Sequence, residues 1–302
     1  MKNLYLFVAI AMFLTSCSKD VSEIDDPKTA SPISDVPTHF DQKVLIESFT
    51  QTSDGTCPKA DLIMDSLIAA NPNRVYNVAF HIEDVMSDLN LIQSFSGTNY
   101  YDSVYNPGQN YPSGMVNRKS LTPSDISFEN WYNNTNSTLN LIPSCGVALE
   151  AEAINENTLT LTVHVGFSAA MFGEYRIHAY LVENTVNSYD SLYDQFNDFS
   201  IHGATPDSLL PLYTLSNPIH LYTHKNVLRK VLTPAGVNGD PIPASEMILG
   251  NDYVVNYSVD VSGVNFNNSS IIVFVDKYAL ISAGHRIVNV QRVPLGETKD
   301  WN

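Results

Sequence analysis

The sequence predicts two folded regions of different class, an α/β domain over residues 39–141 and an all-β antiparallel sandwich over residues 142–302. Two changes along the chain support this. Up to residue 141, apolar runs of strand length alternate with segments whose apolar residues have helical spacing. From Pro143 onward the hydrophobic period becomes two, which is typical of half-buried strands. The length of 302 residues also favours about two domains.

Composition limits the possible partners. The formal net charge is −16, which makes nucleic acid an unfavourable partner because its phosphates would be repelled. The cysteines number three, Cys17, Cys57 and Cys145, too few for a disulfide framework.

The N-terminus predicts export and anchoring. A basic start and an apolar run too short to span a bilayer end in Leu14-Thr15-Ser16-Cys17, which resembles a bacterial lipobox. We interpret residues 1–16 as a signal peptide and Cys17 as a lipidated residue carrying acyl chains such as palmitate. Residues 17–38, rich in Ser, Asp and Pro, are predicted to be a flexible tether. The alternative is an ordinary cleaved signal peptide with a cysteine at its end.

The α/β region is predicted to begin with strand, helix and strand. Its first two strands are expected to pair in parallel, since a helix connects them. In order, the predicted elements are a strand at 43–49, a helix at 57–70, a strand at 74–82, a helix at 89–105, a turn and strand at 110–116, and a helix at 124–139 capped by Ser124 or Asp125.

Three motifs in this region resemble one family. They are TQTSDGTCP at 50–58, VAFH at 78–81 and YPSGMVNR at 111–118. In this order they resemble the thioredoxin-like outer-membrane lipoproteins named after a 28-kilodalton outer membrane protein. That resemblance implies a thioredoxin-like fold for residues 39–141. Ser18, directly after the lipidated cysteine, also favours the outer membrane.

The first motif departs from the family at its reactive position. Family members place a Cys-x-x-Cys pair at the head of the helix, whereas this chain has Asp54 in place of the first cysteine. A carboxylate cannot exchange disulfides, and its charge disfavours the thiolate of Cys57. Asp54 can still shape the loop or cap the helix. Pro112 is the candidate for the superfamily's cis-proline beside this site, and a simple turn proline is the alternative.

The second region is predicted to be an immunoglobulin-like sandwich of six or seven strands. Alternating segments lie near residues 147–153, 158–167, 175–181, 253–259, 271–275 and 286–293. The insertion at residues 187–218 either forms a binding loop or covers an edge strand. His220 and His224 are interpreted as structural rather than metal-binding, since no third ligand accompanies them. Cys145 either pairs with Cys57 or remains a buried free thiol.

These features favour a lipid-anchored outer-membrane protein with a redox-inactive thioredoxin-like domain, acting as a binding module. We expect no catalytic residue, metal or cofactor. The expected partners are the membrane, through the lipid on Cys17, and a protein, peptide or glycan ligand. One alternative is an exchange enzyme that uses the single Cys57 with a partner's thiol. Another is a structural envelope protein without a saturable ligand.

Overall fold

The computed structural model describes residues 33–87, 111–119, 126–200, 210–279 and 284–302, all within one compact unit, Ser31–Asn302. The predicted signal peptide, Cys17 and the tether up to residue 32 lie outside the described residues. So do the helix predicted at 89–105 and the cap residues Ser124 and Asp125.

The described elements follow the predicted order closely, although the last helix is shorter. The helices are α1 (Cys57–Ala70), α2 (Trp131–Leu139) and α3 (Leu210–Thr214), with short 3-10 turns at Phe128–Asn130, Ser191–Tyr193, Gly236–Asn238 and Phe266–Asn268. The strands are β1 (Val44–Thr50), β2 (Val75–His81), β3 (Ser113–Val116), β4 (Cys145–Asn155), β5 (Thr158–Phe167), β6 (Tyr175–Val186), β7 (His224–Val231), β8 (Asp240–Pro241), β9 (Asp252–Asp260), β10 (Ser269–Lys277), β11 (Arg286–Pro294) and β12 (Thr298–Lys299).

The strands described here form two sheets. The larger has the order β11-β10-β6-β7-β2-β1-β3, with β8 paired to β6, and the smaller has the order β12-β4-β5-β9. β1 and β2 pair in parallel, as predicted, with Val44 opposite Val75, and β3 runs antiparallel to β1. β7 joins β2 in parallel through the pair Ala79 and Val227.

A sandwich does form, between the smaller sheet and part of the larger one. Alternate residues of β4 and β5, including Leu149, Leu161 and Val163, pack against Leu181 of β6 and Val273 of β10. These side chains are fully buried, because strands that alternate in polarity turn one face toward the opposing sheet. α1 packs on the face of β1 that carries Val44 and Ile46.

The structure does not confirm a division into separate thioredoxin-like and immunoglobulin-like domains. Strands β6, β7, β10 and β11 belong to the predicted sandwich region, yet they share one sheet with β1, β2 and β3. The position predicted as a boundary, 141/142, lies in the short connection between α2 and β4. Hydrophobic period reports which face of a strand is buried and carries no information about which strand lies beside it, so the sequence did not reveal the shared sheet.

A buried ion cluster crosses the shared sheet. Arg118, two residues after the end of β3, contacts both oxygens of Glu47 on β1, with nitrogen–oxygen distances of 2.7 and 2.6 Å. It also lies 3.2 Å from Asp276 on β10, and its guanidinium is 4.8 Å from the Phe274 ring centroid. The neighbouring Asn117 accepts a hydrogen bond from the Leu45 amide at 2.7 Å. The YPSGMVNR motif thus connects the strands of the two predicted regions.

The chain packs before residue 39, within the segment predicted to be tether. Ile33 and Val36 lie against Phe40 and the buried Trp301. The indole of Trp301 donates to the Ser34 carbonyl at 2.9 Å. Two apolar residues in an otherwise polar segment thus help to cover the tryptophan.

Candidate functional site

The loop between β1 and α1 holds the altered thiol motif. The Asp54 carboxylate accepts hydrogen bonds from the Thr56 amide at 2.9 Å and the Thr56 hydroxyl at 2.5 Å. Thr56 is the N-cap of α1, and its own side chain makes no capping bond. Asp54 therefore shapes the turn before the helix, as the sequence predicted, through the cap residue.

Cys57 begins α1 and is fully buried. Burial raises the pKa of its thiol to about 12, with smaller contributions in the same direction from Asp61 and Asp54. The sequence predicted repulsion by Asp54, but exclusion from water is the larger cause. At neutral pH the thiol is protonated, and a protonated thiol is a poor nucleophile.

The insertion at 187–218 covers this loop. The side-chain amide of Gln195 donates to the Thr52 and Asp54 carbonyls at 3.1 and 2.9 Å. The amide of Phe196 donates to the Thr52 carbonyl at 2.9 Å. The described part of the insertion therefore covers the loop, which is neither of the two roles that the sequence left open.

The close approach of the two segments depends on Gly55. Its carbonyl accepts a hydrogen bond from the Asp198 amide at 3.0 Å. A Cβ atom at Gly55 would lie 2.2 Å from a carboxylate oxygen of Asp198 and 2.7 Å from its backbone nitrogen. Any larger residue would push the insertion away from the loop.

Pro112 lies beside the loop. The Tyr111–Pro112 peptide bond is cis, as predicted, and Pro112 precedes β3 directly. The Thr56 hydroxyl is 3.4 Å from the Tyr111 carbonyl, which joins the cis-proline turn to the head of α1. The structure therefore brings Asp54, Cys57 and Pro112 together.

His220 and His224, which the sequence analysis interpreted as structural, both have protein partners. His220 lies 2.7 Å from a carboxylate oxygen of Asp194, and His224 is 2.9 Å from the Tyr193 carbonyl. Burial lowers the pKa of His224 to about 4. Across residues 33–302, leaving out the undescribed segments, no three His, Cys, Asp or Glu side chains gather as metal ligands.

Cys145 begins β4 and is as buried as Cys57. Both thiols are free, so the structure contains no bond between them. Cys145 packs in the core between the two sheets, and burial raises its pKa to about 12.

A cavity lies one helical turn beyond Cys57, and no sequence pattern indicated it. Its volume is about 240 Å³, and its walls come from α1, β2, α3 and the start of β7. Asp61 of α1 lines it and accepts a hydrogen bond from the Tyr222 hydroxyl at 2.7 Å. Burial raises the pKa of Asp61, although the Tyr222 hydrogen bond acts in the opposite direction. At the mouth, Lys225 pairs with Asp65 at 2.7 Å.

No helix in the described part of the chain is long and apolar enough to cross a membrane. The N-terminal apolar run lies outside that part. The structure therefore does not test the predicted anchor at Cys17.

The sequence matches one family model, that of outer membrane protein Omp28, over residues 98–299. The match covers about two thirds of the chain and includes the YPSGMVNR motif, whereas the motifs at 50–58 and 78–81 precede it. The family resemblance identified from the sequence is confirmed. A comparison with curated proteins finds no match.

Several solved structures are similar to this chain. HBP35 of Porphyromonas gingivalis is 16% identical with a TM-score of 0.61, covering 86% of this chain and 77% of that one. A protein from Agrobacterium tumefaciens is 12% identical with a TM-score of 0.49, covering 85% and 95%. A domain of the outer membrane lipoprotein Omp28 from Porphyromonas gingivalis is 14% identical with a TM-score of 0.29, covering 54% and 93%. The similarity to HBP35 indicates a shared fold.

Proposed function

Because the chain belongs to the outer membrane protein Omp28 family, we propose that it is a lipid-anchored binding protein whose thioredoxin-like region has no redox activity. The family places it in the outer membrane, in agreement with the sequence prediction. The lipid on Cys17, the binding role and the loss of redox chemistry are parts of the proposal.

The main support for the proposal is the burial of Cys57 at the position where family members carry a Cys-x-x-Cys pair. Cys57 has no exposed surface, its pKa is raised to about 12, and the residue three positions before it is Asp54. Gln195 fixes the loop by donating to its carbonyls. Disulfide exchange needs an accessible thiolate, so this arrangement supports a scaffold and counts against a reaction centre.

The thioredoxin-like assignment rests on topology. β1, α1 and β2 form a strand–helix–strand unit with parallel strands, and β3 follows a cis-proline and pairs antiparallel with β1. Further strands then extend this sheet instead of forming a domain of their own. A fixed sheet with a covered loop is suited to holding surfaces in place, which is what a binding protein needs.

Insulin reduction tests the redox part of the proposal. With dithiothreitol as electron donor, we expect the chain to reduce insulin no faster than its Cys57→Ser variant, because the thiolate is missing. Turnover above that of the variant would support the alternative, a single-cysteine exchange partner.

The binding part needs a separate test. We expect the lipidated protein, cross-linked in its native envelope, to capture a partner in a saturable way. A purely structural envelope protein would show no saturable capture, and that result would contradict the binding role.

A further inference from the structure

Amide side chains with polar atoms that lack a protein partner in the described part of the chain line the cavity beside α1. Asn226, at 7% exposure, lines the cavity, and its side chain has no hydrogen-bond partner among the described residues. Asn77, at 3% exposure, donates through Nδ2 to the Ile46 carbonyl and the Ser48 hydroxyl, at 3.0 and 2.9 Å. Those two bonds fix the orientation of the amide and leave its carbonyl oxygen available in the cavity wall.

Polar atoms that line a cavity and lack a protein partner are available to fix the orientation of a ligand. Asp61 adds a carboxylate to the same wall. One of its oxygens accepts from Tyr222, and no protein donor among the described residues contacts the other. The lining therefore offers several acceptors, and its one cationic side chain, Lys225, is paired with Asp65 at the mouth.

The rest of the lining is apolar. Leu62 and Met64 of α1 line it together with Pro211, Leu212 and Leu215 from the insertion. A volume of about 240 Å³ lies below the usual range for drug-sized ligands, so the cavity fits a group the size of a single side chain. Such walls suit an aliphatic chain that carries a polar head.

We propose that this cavity binds an alkylguanidinium or alkylammonium group, with the cationic head at Asp61, Asn77 and Asn226 and the aliphatic chain against the leucines of α1 and α3. The inference rests on the proposed binding function and names the ligand class for it. A guanidinium or ammonium carries several N–H donors and no acceptor, which complements the Asp61 carboxylate and the carbonyl oxygens of Asn77 and Asn226. An anion would meet two aspartates there, and a neutral alkyl chain would leave the amides unpaired.

The same head group occurs on basic side chains of peptides and on free polyamines. The acidic balance of the whole chain, −16, favours either cation. The test therefore uses butylguanidinium as the basic probe, with a capped Gly-Gly-Arg-Gly-Gly peptide and spermidine as the two sources.

Calorimetric titration of the mature chain at pH 7.5 tests the assignment. We expect saturable binding of butylguanidinium with a dissociation constant on the order of millimolar, and none of the neutral analogue butylurea. Asp61→Asn, close in shape to the native residue, should weaken binding roughly tenfold because a charge-assisted hydrogen bond is lost. Asp260→Asn, at an exposed aspartate at the end of β9, is the matched control and should leave butylguanidinium binding unchanged.

Asn226→Gly provides a second variant, since the backbone there has a φ of 54° that glycine adopts freely. It should also weaken binding. Tighter binding of the peptide assigns the cavity to a basic side chain of a partner, and tighter binding of spermidine assigns it to a free amine. The proposal is overturned if butylguanidinium does not saturate, or if Asp61→Asn binds it as the native chain does. A partner captured in the envelope equally well by Asp61→Asn would leave the binding function standing without this site.

Discussion

His178 and His164 are two histidines near carboxylates whose environments shift their pKa values in opposite directions. His178 on β6 is fully enclosed, and burial together with the nearby Arg118 charge lowers its pKa, although Asp276 lies 3.7 Å away. His164 on β5 is partly open to water, and its 2.8 Å hydrogen bond to Asp252 raises its pKa.

The two shifts predict opposite contributions to stability between pH 7.5 and pH 5. A histidine with a lowered pKa binds fewer protons in the folded state than in the unfolded chain. The folded state therefore loses stability as the pH falls below about 6.5. His178→Leu should therefore lose less stability on acidification than the native chain. The difference should be at most about 1.4 kcal/mol per pH unit. Urea denaturation at the two pH values measures it.

His164→Leu is the matched control, because the stabilising effect of a raised pKa is present at low pH and is lost as the pH rises. This variant should lose more stability on acidification than the native chain. The same change in pH dependence for both variants would contradict the assigned environments.

At the scale of elements, the cluster around Arg118 joins strands that the sequence assigned to different domains. Arg118→Met should lower the free energy of unfolding by roughly 3–5 kcal/mol, because Glu47 and Asp276 would lose the buried guanidinium between them. Arg286→Met, at an exposed position on β11, is the control and should change stability by less than about 0.5 kcal/mol. A loss for Arg118→Met no larger than that of the control would show that the cluster does not stabilise the sheet.

The individual strands were predictable, since β5 occupies the segment that the alternating pattern predicted. β7 was not, because HKNVLRKV does not alternate and places Lys225 and Arg229 among its apolar residues. Its neighbour β2 lies far away in the sequence, and no local signal links them. The pairing of β2 with β7 joins the strands of the two predicted regions into one sheet.

Some residues of the candidate site were likewise predictable from the sequence, and others were not. Asp54, Cys57 and Pro112 lie in contiguous motifs, so the sequence revealed them. The cavity depends on Asp61 meeting Tyr222, a contact between residues 161 positions apart. The cover provided by Gln195 is also long-range, and its residue type gave no hint of it.

At the scale of the whole molecule, the two predicted regions behave as parts of one body in residues 31–302. The insertion lies over the loop of the thiol site, and the same insertion supplies one wall of the cavity. The same insertion therefore covers the thiol loop and forms part of the cavity beside α1. We propose that the thiol site is closed and that the molecule acts by binding.

Alkylation of Cys57 in the folded, native protein tests that claim most directly. Treatment with iodoacetamide at neutral pH, followed by mass spectrometry of the peptides, compares Cys57 with Cys145 under native conditions and in urea. We predict that both thiols stay unlabelled in the folded chain and that both react in urea, because burial raises each pKa to about 12. Rapid labelling of Cys57 in the folded chain, with Cys145 still protected, would contradict the account.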